Sequence, residues 1–128
     1  MTINNQELHQ LISTIKTLRG KNGCPWDIRQ TSKTLVKHLK SECNELIEAI
    51  EKEDHENICE ESGDLLYLIL MLTEINSEQS RYQLKDVICE VNSKLIRRHP
   101  HVFQGTPYEN EEQLKEQWLK IKSQEKNK

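Results

Sequence analysis

Residues 65–72 read LLYLILML, an unbroken apolar run in a chain that is 30 % charged and only 34 % apolar. Eight residues are too few to cross a bilayer. Wound into a helix, the run is apolar on every side, and a helix of that kind is buried on every side. A chain of 128 residues offers little material to surround it. The run therefore predicts a helix sealed partly by a second copy, in a homodimer or homotetramer. The alternative is the central helix of a monomeric bundle. Four glycines and three prolines leave few breakers, which favours long helices. No stretch alternates at the period of a strand. The fold class is all-α, an antiparallel bundle of about five helices.

The five helices read out by period. The first carries Leu8, Leu11, Ile12, Ile15 and Leu18 on one stripe, with Asn4 or Asn5 as cap. GKNGCPWD then reads as a loop. The second runs from about Ser32 to Glu53, with Leu35, Leu39, Cys43, Leu46 and Ile50 as its stripe. A short turn follows, and Asp54 is placed to cap the third helix, which holds the apolar run. The fourth bears Leu84, Val87, Ile88, Val91 and Leu95; continuing its stripe reaches Arg98, a cation where a core residue is due. HPHVFQGTPYEN is a connector. The fifth starts near Asn110, has Gln113 in a capping-box position, and carries Leu114, Trp118 and Ile121 inward. Residues 1–128 fit one domain.

Charge and cysteine usage exclude several classes. A net charge of −3 gives no general pull toward nucleic acid. The opening MTINNQELHQ is polar, unlike a secretory leader. Cys24, Cys43, Cys59 and Cys89 are widely spaced, which fits reduced thiols in a cytoplasm. The pairs His55/Cys59 and His38/Cys43 lack the spacing of structural zinc. The chain is thus expected to be cytoplasmic, with no membrane and no nucleic-acid partner.

The chemistry lies in two acidic pairs. Glu42 and Glu45 stand three apart on the second helix; Glu61 and Asp64 do so on the third. Residues three apart share a helix face. A short turn makes the two helices antiparallel neighbours, and Glu45 and Glu61 lie at similar distances from it. The four carboxylates therefore converge. Two like charges about 6 Å apart repel by roughly 3 kcal/mol at an effective dielectric near 20. A divalent cation reverses the sign. An all-oxygen set suits Mg²⁺ or Mn²⁺. A di-iron centre needs Glu-x-x-His pairs, and no histidine follows a glutamate at that spacing.

Such a Mg²⁺ site usually leaves positions for phosphates. The cations to meet them are Lys94, Arg97 and Arg98, with Lys122 on the last helix and Trp118 one turn before it as a stacking surface. The competing readings are dipole-favouring cations at a helix end and a core tryptophan.

The chain resembles the MazG-type nucleoside triphosphate pyrophosphohydrolases of the all-α NTP pyrophosphatase superfamily. LRGKNGCPWDIRQT, SECNELIEAI, EESGDLLYLI, KLIRRHPHVF and WLKIKSQEK carry the resemblance through nearly all of the chain after the first helix. Of the family's EExxE…ExxD signature, Glu42, Glu45, Glu61 and Asp64 match the Mg²⁺ ligands. Ser41 stands where the first glutamate belongs and supplies no carboxylate; Glu48 and Glu60 are the candidate substitutes. The resemblance implies nucleotide contacts at Arg98, Trp118 and Lys122, with Lys94 and Arg97, and a homo-oligomer, with a four-helix core completed by oligomerisation. It also implies Mg²⁺-dependent cleavage of an NTP or dNTP to monophosphate and pyrophosphate, in nucleotide-pool housekeeping. The rival readings are a weakened nucleotide-binding regulator and a helical oligomerisation module without catalysis.

Overall fold

The computed structural model describes residues 5–126. Asn4, one of the two expected caps, lies outside them. The described residues form seven helical segments and no strand: α1 (Asn5–Arg19), α2 (Pro25–Arg29), α3 (Ser32–Glu51), α4 (His55–Glu78), α5 (Leu84–Arg98), α6 (Pro100–Phe103) and α7 (Glu111–Lys126). The five long helices are those the periodicity predicts. The other two correct the reading of GKNGCPWD and HPHVF as unbroken loops. Each begins at a proline, Pro25 or Pro100. Proline at the first helical position loses no hydrogen bond and already has the helical φ.

Two compact units divide between Leu84 and Lys85. In the first, α4 packs mainly on α3 and also on α1. Ile15, Leu35, Leu68, Leu70, Met71 and Ile75 are its buried core. The chain ends are fixed locally. Thr31 caps α3 in a reciprocal box with Thr34. Glu53 ends the same helix in a left-handed conformation, φ 54°. Its N–H donates to Ile50 O at 3.0 Å, and that of Asp54 donates to Ala49 O at 3.1 Å, the paired bonds of a Schellman ending. Asp54 then caps α4 by accepting from Asn57 N–H, as the sequence predicts.

Between α1 and α2 the chain folds tightly back. Cys24 N–H donates to Leu18 O at 2.8 Å. A Cβ on Gly23 would lie 2.2 Å from that same oxygen, so only glycine fits. Arg19 clamps the turn: it donates to the carbonyls of Asp27 and Gln30 and pairs with Glu78 of α4.

In the second unit, α7 opens on the expected cap, Asn110, but Gln113 reaches back one residue too far for a capping box. Gln113 N–H donates to Asn110 Oδ1 at 2.9 Å, and Glu109 N–H to Gln113 Oε1 at 2.7 Å. Leu114, Trp118 and Ile121 are half-buried. Ile88, Val91 and Leu95 of α5 stay about half exposed. The expected seal around α4 is also incomplete within one chain, since Leu66 and Ile69 are 43 % and 41 % exposed.

Candidate functional site

On α3 the covered positions Leu35, Leu39, Glu42, Leu46 and Ala49 alternate in steps of four and three. On α4 the corresponding line is Ile58, Glu61, Leu65, Leu68, Leu72 and Ile75. This is the seam spacing of two helices packed side by side. Each line places one glutamate where an apolar residue belongs. The stripe read from hydropathy alone is corrected here: Cys43 and Ile50 are exposed, and Glu42 and Ala49 take their places. Hydropathy prefers cysteine to glutamate, whereas the seam is set by helix geometry.

Glu61 is 9 % exposed. Glu42 is half-buried, and Glu45 and Asp64 flank the seam toward solvent. Carboxylate oxygens of Glu42, Glu45 and Glu61 lie within 4.8 Å of one another, and so do those of Glu60, Glu61 and Asp64. Glu61 joins the two groups. All four predicted acids therefore come together, with Glu60 as a fifth. Of the two substitutes for the carboxylate missing at Ser41, Glu60 belongs to the cluster. Glu48 instead pairs with Lys52 on the exposed face of α3, at 3.7 Å.

Burial and the neighbouring Glu42 and Glu45 push the Glu61 carboxyl up to about 7. Burial likewise raises Glu42. One oxygen of each, Oε2, is buried without a hydrogen-bond partner. Buried polar atoms are nearly always partnered, and here two orphans share an all-oxygen cluster. That donor set fits a hard divalent cation.

Beside the acids lies a pocket of about 200 Å³ lined by Trp26, His38, Glu42, Asp64, Tyr67 and Leu68. Trp26 and His38 meet edge to face at 5.1 Å. Tyr67 O–H donates to Asp27 Oδ1, and Asp27 is 5 % exposed. The word GCPWD thus supplies Trp26 to the pocket lining and Asp27 as the partner of Tyr67. Sequence reasoning quoted that word and assigned it no task. From the sequence, His38 is weighed only as a zinc partner of Cys43 and Tyr67 only as part of the apolar run, although each shares a helix face with a predicted ligand, four before Glu42 and three after Asp64.

The second unit gathers the cations. Arg98 Cζ lies 5.5 Å and Lys122 Nζ 4.8 Å from the centroid of Trp118. Arg98 donates from Nη2 and Nε to Glu125 Oε1 at 2.8 and 3.1 Å, and Arg97 Nε donates to Glu125 Oε2. The two arginines hold the Glu125 carboxyl down at about 2. Lys94 lies one turn before Arg98, half-buried. The inward phase predicted for Arg98 is observed, its side chain being 16 % exposed. Glu125 as its partner was not anticipated. The pairing of QEK with RR across 27 residues leaves no local signal.

Residues 30–103 match the model of the MazG nucleotide pyrophosphohydrolase domain. The nucleoside triphosphate pyrophosphohydrolase/pyrophosphatase MazG of Thermotoga maritima is 42 % identical over 93 % of this chain and 45 % of its own length. The nucleoside triphosphate pyrophosphohydrolase of Escherichia coli K12 is 34 % identical over 94 % of this chain and 46 % of its own. The uncharacterised protein YabN of Bacillus subtilis is 42 % identical over 90 % and 24 %. The chain thus spans between a quarter and just under half of these relatives. A crystal structure of a MazG-related protein from Thermotoga maritima superposes with a TM-score of 0.73 and 31 % identity, covering 90 % of this chain and 98 % of that one.

Proposed function

The chain belongs to the MazG nucleotide pyrophosphohydrolase domain family, and on that premise we propose that it hydrolyses nucleoside triphosphates to monophosphate and pyrophosphate. The observation that carries this is the pair of unpartnered Glu42 and Glu61 oxygens in the α3–α4 seam. A seam that keeps two acids, one buried and one half-buried, where apolar residues would pack is suited to a cation. We assign the ligands to Glu42, Glu45, Glu61 and Asp64 and the ion to Mg²⁺, with Mn²⁺ as substitute. Bound there, the ion supplies charge neutralisation for the triphosphate and acidity for an attacking water.

The chain's own residues do the rest. Glu60, beside Glu61 and Asp64, accepts the proton of the attacking water in place of a carboxylate at residue 41. Trp26 and His38, held against a wall anchored by Tyr67 and Asp27, receive part of the nucleotide and exclude water. Arg98, with Arg97, Lys94 and Lys122, binds the polyphosphate and offsets charge developing on its oxygens. Trp118 gives this cationic group an aromatic backing. Residues 1–128 act as one functional domain, supported by a family match that starts in the first compact unit and extends into the second, over residues 30–103. The domain works as a homodimer or homotetramer on cytoplasmic nucleotide pools.

The test is pyrophosphate release from each NTP and dNTP, with Mg²⁺, with Mn²⁺ and with chelator. Release that needs the metal and is lost in Glu45→Gln and Asp64→Asn supports the reading. Nucleotide-dependent thermal stabilisation without release makes the chain a binding protein, with Ser41 as the site of lost chemistry. Indifference to metal and nucleotide leaves the oligomerisation module.

A further inference from the structure

Glu125 makes bonds that the proposed chemistry does not use. It is an acid set among the cations that are to meet an anion. Its Oε1 accepts from Arg98 Nε and Nη2 at 3.1 and 2.8 Å, and its Oε2 accepts from Arg97 Nε. Its side chain is 19 % exposed, that of Arg98 16 % and that of Arg97 47 %. One carboxylate between two guanidinium groups leaves the trio with a surplus positive charge.

The mode of contact matters more than the charge. A guanidinium carries five N–H donors in a fixed planar fork. Glu125 takes two from Arg98 and one from Arg97, and in both cases it takes Nε–H. Holding an arginine by its Nε edge leaves donors on its terminal nitrogens. Trp118 meanwhile sits 5.5 Å from Arg98 Cζ, so that guanidinium is held at an edge and against a ring. Two long side chains at consecutive helical positions would otherwise diverge by about 100° and sample many rotamers. A single carboxylate draws them to one point.

We propose that Glu125 is a positioning residue, fixing Arg97 and Arg98 as one preorganised receptor for a polyphosphate chain. The proposal rests on the nucleotide reading above. The rival is a competitor that occupies the arginines until nucleotide displaces it. That rival needs the terminal fork to be blocked, and Glu125 engages the Nε edge instead.

The two roles have opposite signs. Loss of a positioning residue weakens binding, whereas loss of a competitor tightens it. Wild type, Glu125→Gln, Glu125→Ala, R97A/R98A and the triple variant would be compared well below their unfolding temperatures. One readout is KM and kcat for pyrophosphate release. The other is calorimetric titration with inorganic tripolyphosphate, which has neither base nor sugar. Glu125→Ala should raise KM and weaken tripolyphosphate binding by roughly ten- to a hundredfold. Glu125→Gln, which keeps one acceptor oxygen, should fall between it and wild type. Adding Glu125→Ala to R97A/R98A should change nothing further. Unchanged or tighter tripolyphosphate binding in Glu125→Ala overturns the proposal, whatever its effect on stability. So does an undiminished effect in the R97A/R98A background. A wild type that binds tripolyphosphate and cleaves no nucleotide removes the proposed function, while the titration still decides the role of Glu125.

Discussion

At the scale of single residues, two acids in opposite surroundings define the molecule's electrostatics. Glu61 is an acid placed among acids. Its folded-state carboxyl, at about 7, binds a proton more readily than it would in the unfolded chain. Its ionised form therefore strains the metal-free fold. Glu61→Gln removes that charge with little change of shape, and should raise the melting temperature of the metal-free protein at pH 8 by several degrees. The same variant should lose the Mg²⁺-induced rise expected of wild type and at least about 100-fold of its pyrophosphate release, beyond the range typical of outer-shell ligand partners. Melting scans with Mg²⁺ and with chelator check both halves. A Glu61→Gln protein less stable than wild type in chelator would show that the acid is an ordinary packing residue. Glu125 is the converse, an acid among cations, its carboxyl lowered from an ordinary 4.5 to about 2 by Arg98 and Arg97. A lowered carboxyl contributes stability above its unfolded value and loses it as pH falls through its folded one. Wild type should therefore lose stability between about pH 4.5 and pH 2 more steeply than Glu125→Gln. Urea midpoints at pH 7, 4 and 3 would measure the difference, and parallel curves would remove the ion pair from the account. The sequence showed the first of these residues and hid the second. Glu61 stands three residues from Asp64 on one helix, whereas Glu125 finds its arginines only after the chain has folded.

At the scale of elements, propensity and capping settled most of the outline. The α3–α4 turn was legible because Asp54 is a strong cap, and α7 because Asn110 caps it by accepting from Gln113 N–H. The seam was half legible. Leu35, Leu39 and Leu46 announce it, but Glu42 occupies a position that any hydropathy rule assigns to a neighbour. There a polar side chain stands at a packing position, which the proposed metal site accounts for. Local strain points to a further test. Glu53 holds the left-handed turn residue of the Schellman ending, φ 54°, where glycine is the usual occupant. A non-glycine residue in that region costs roughly 1–3 kcal/mol, and glycine returns part of the gain through its freer unfolded chain. Glu53→Gly should therefore stabilise the protein by about 0.5–1 kcal/mol, seen as a higher urea midpoint with unchanged slope. A lower midpoint would mean that the Glu53 side chain contributes more than its backbone strains. The variant lies at the turn that sets the register of α3 against α4. An unchanged metal affinity in Glu53→Gly would show that the turn's hydrogen bonds, rather than its side chain, hold the carboxylates level.

At the scale of the whole molecule, the apolar run on α4 raises the question of what covers it. Leu68, Leu70 and Met71 are buried in the chain's own core. Leu66 and Ile69, three apart and off the seam line, remain 43 % and 41 % exposed. On α3, Val36 and Ile47 are exposed at 47 % and 51 %. The helix is apolar on every side and covered on all but the Leu66/Ile69 side, and that remaining side is where the homo-oligomer expected from the run would seal it. Neither composition nor period could decide which of its residues faces a second copy. That depends on which side α1 and α3 cover first, a tertiary outcome. The consequence is measurable. Each protomer has a mass of 15.1 kDa, and the protein at micromolar concentration should sediment at a multiple of it. Burying a leucine or isoleucine side chain contributes about 1.5–3 kcal/mol, and each 1.4 kcal/mol is about tenfold in a dissociation constant. Replacing both Leu66 and Ile69 by glutamate removes that contribution and adds charges that repel across a two-fold axis. The double variant should dissociate at least about a hundredfold more readily, with its helical circular dichroism intact because both positions lie outside the α3–α4 seam. Wild type that sediments as a monomer would overturn the oligomer, and a double variant of unchanged mass would place the interface elsewhere on the chain. A double variant that becomes monomeric and still binds Mg²⁺ with wild-type affinity would show that the carboxylate cluster is complete within one protomer.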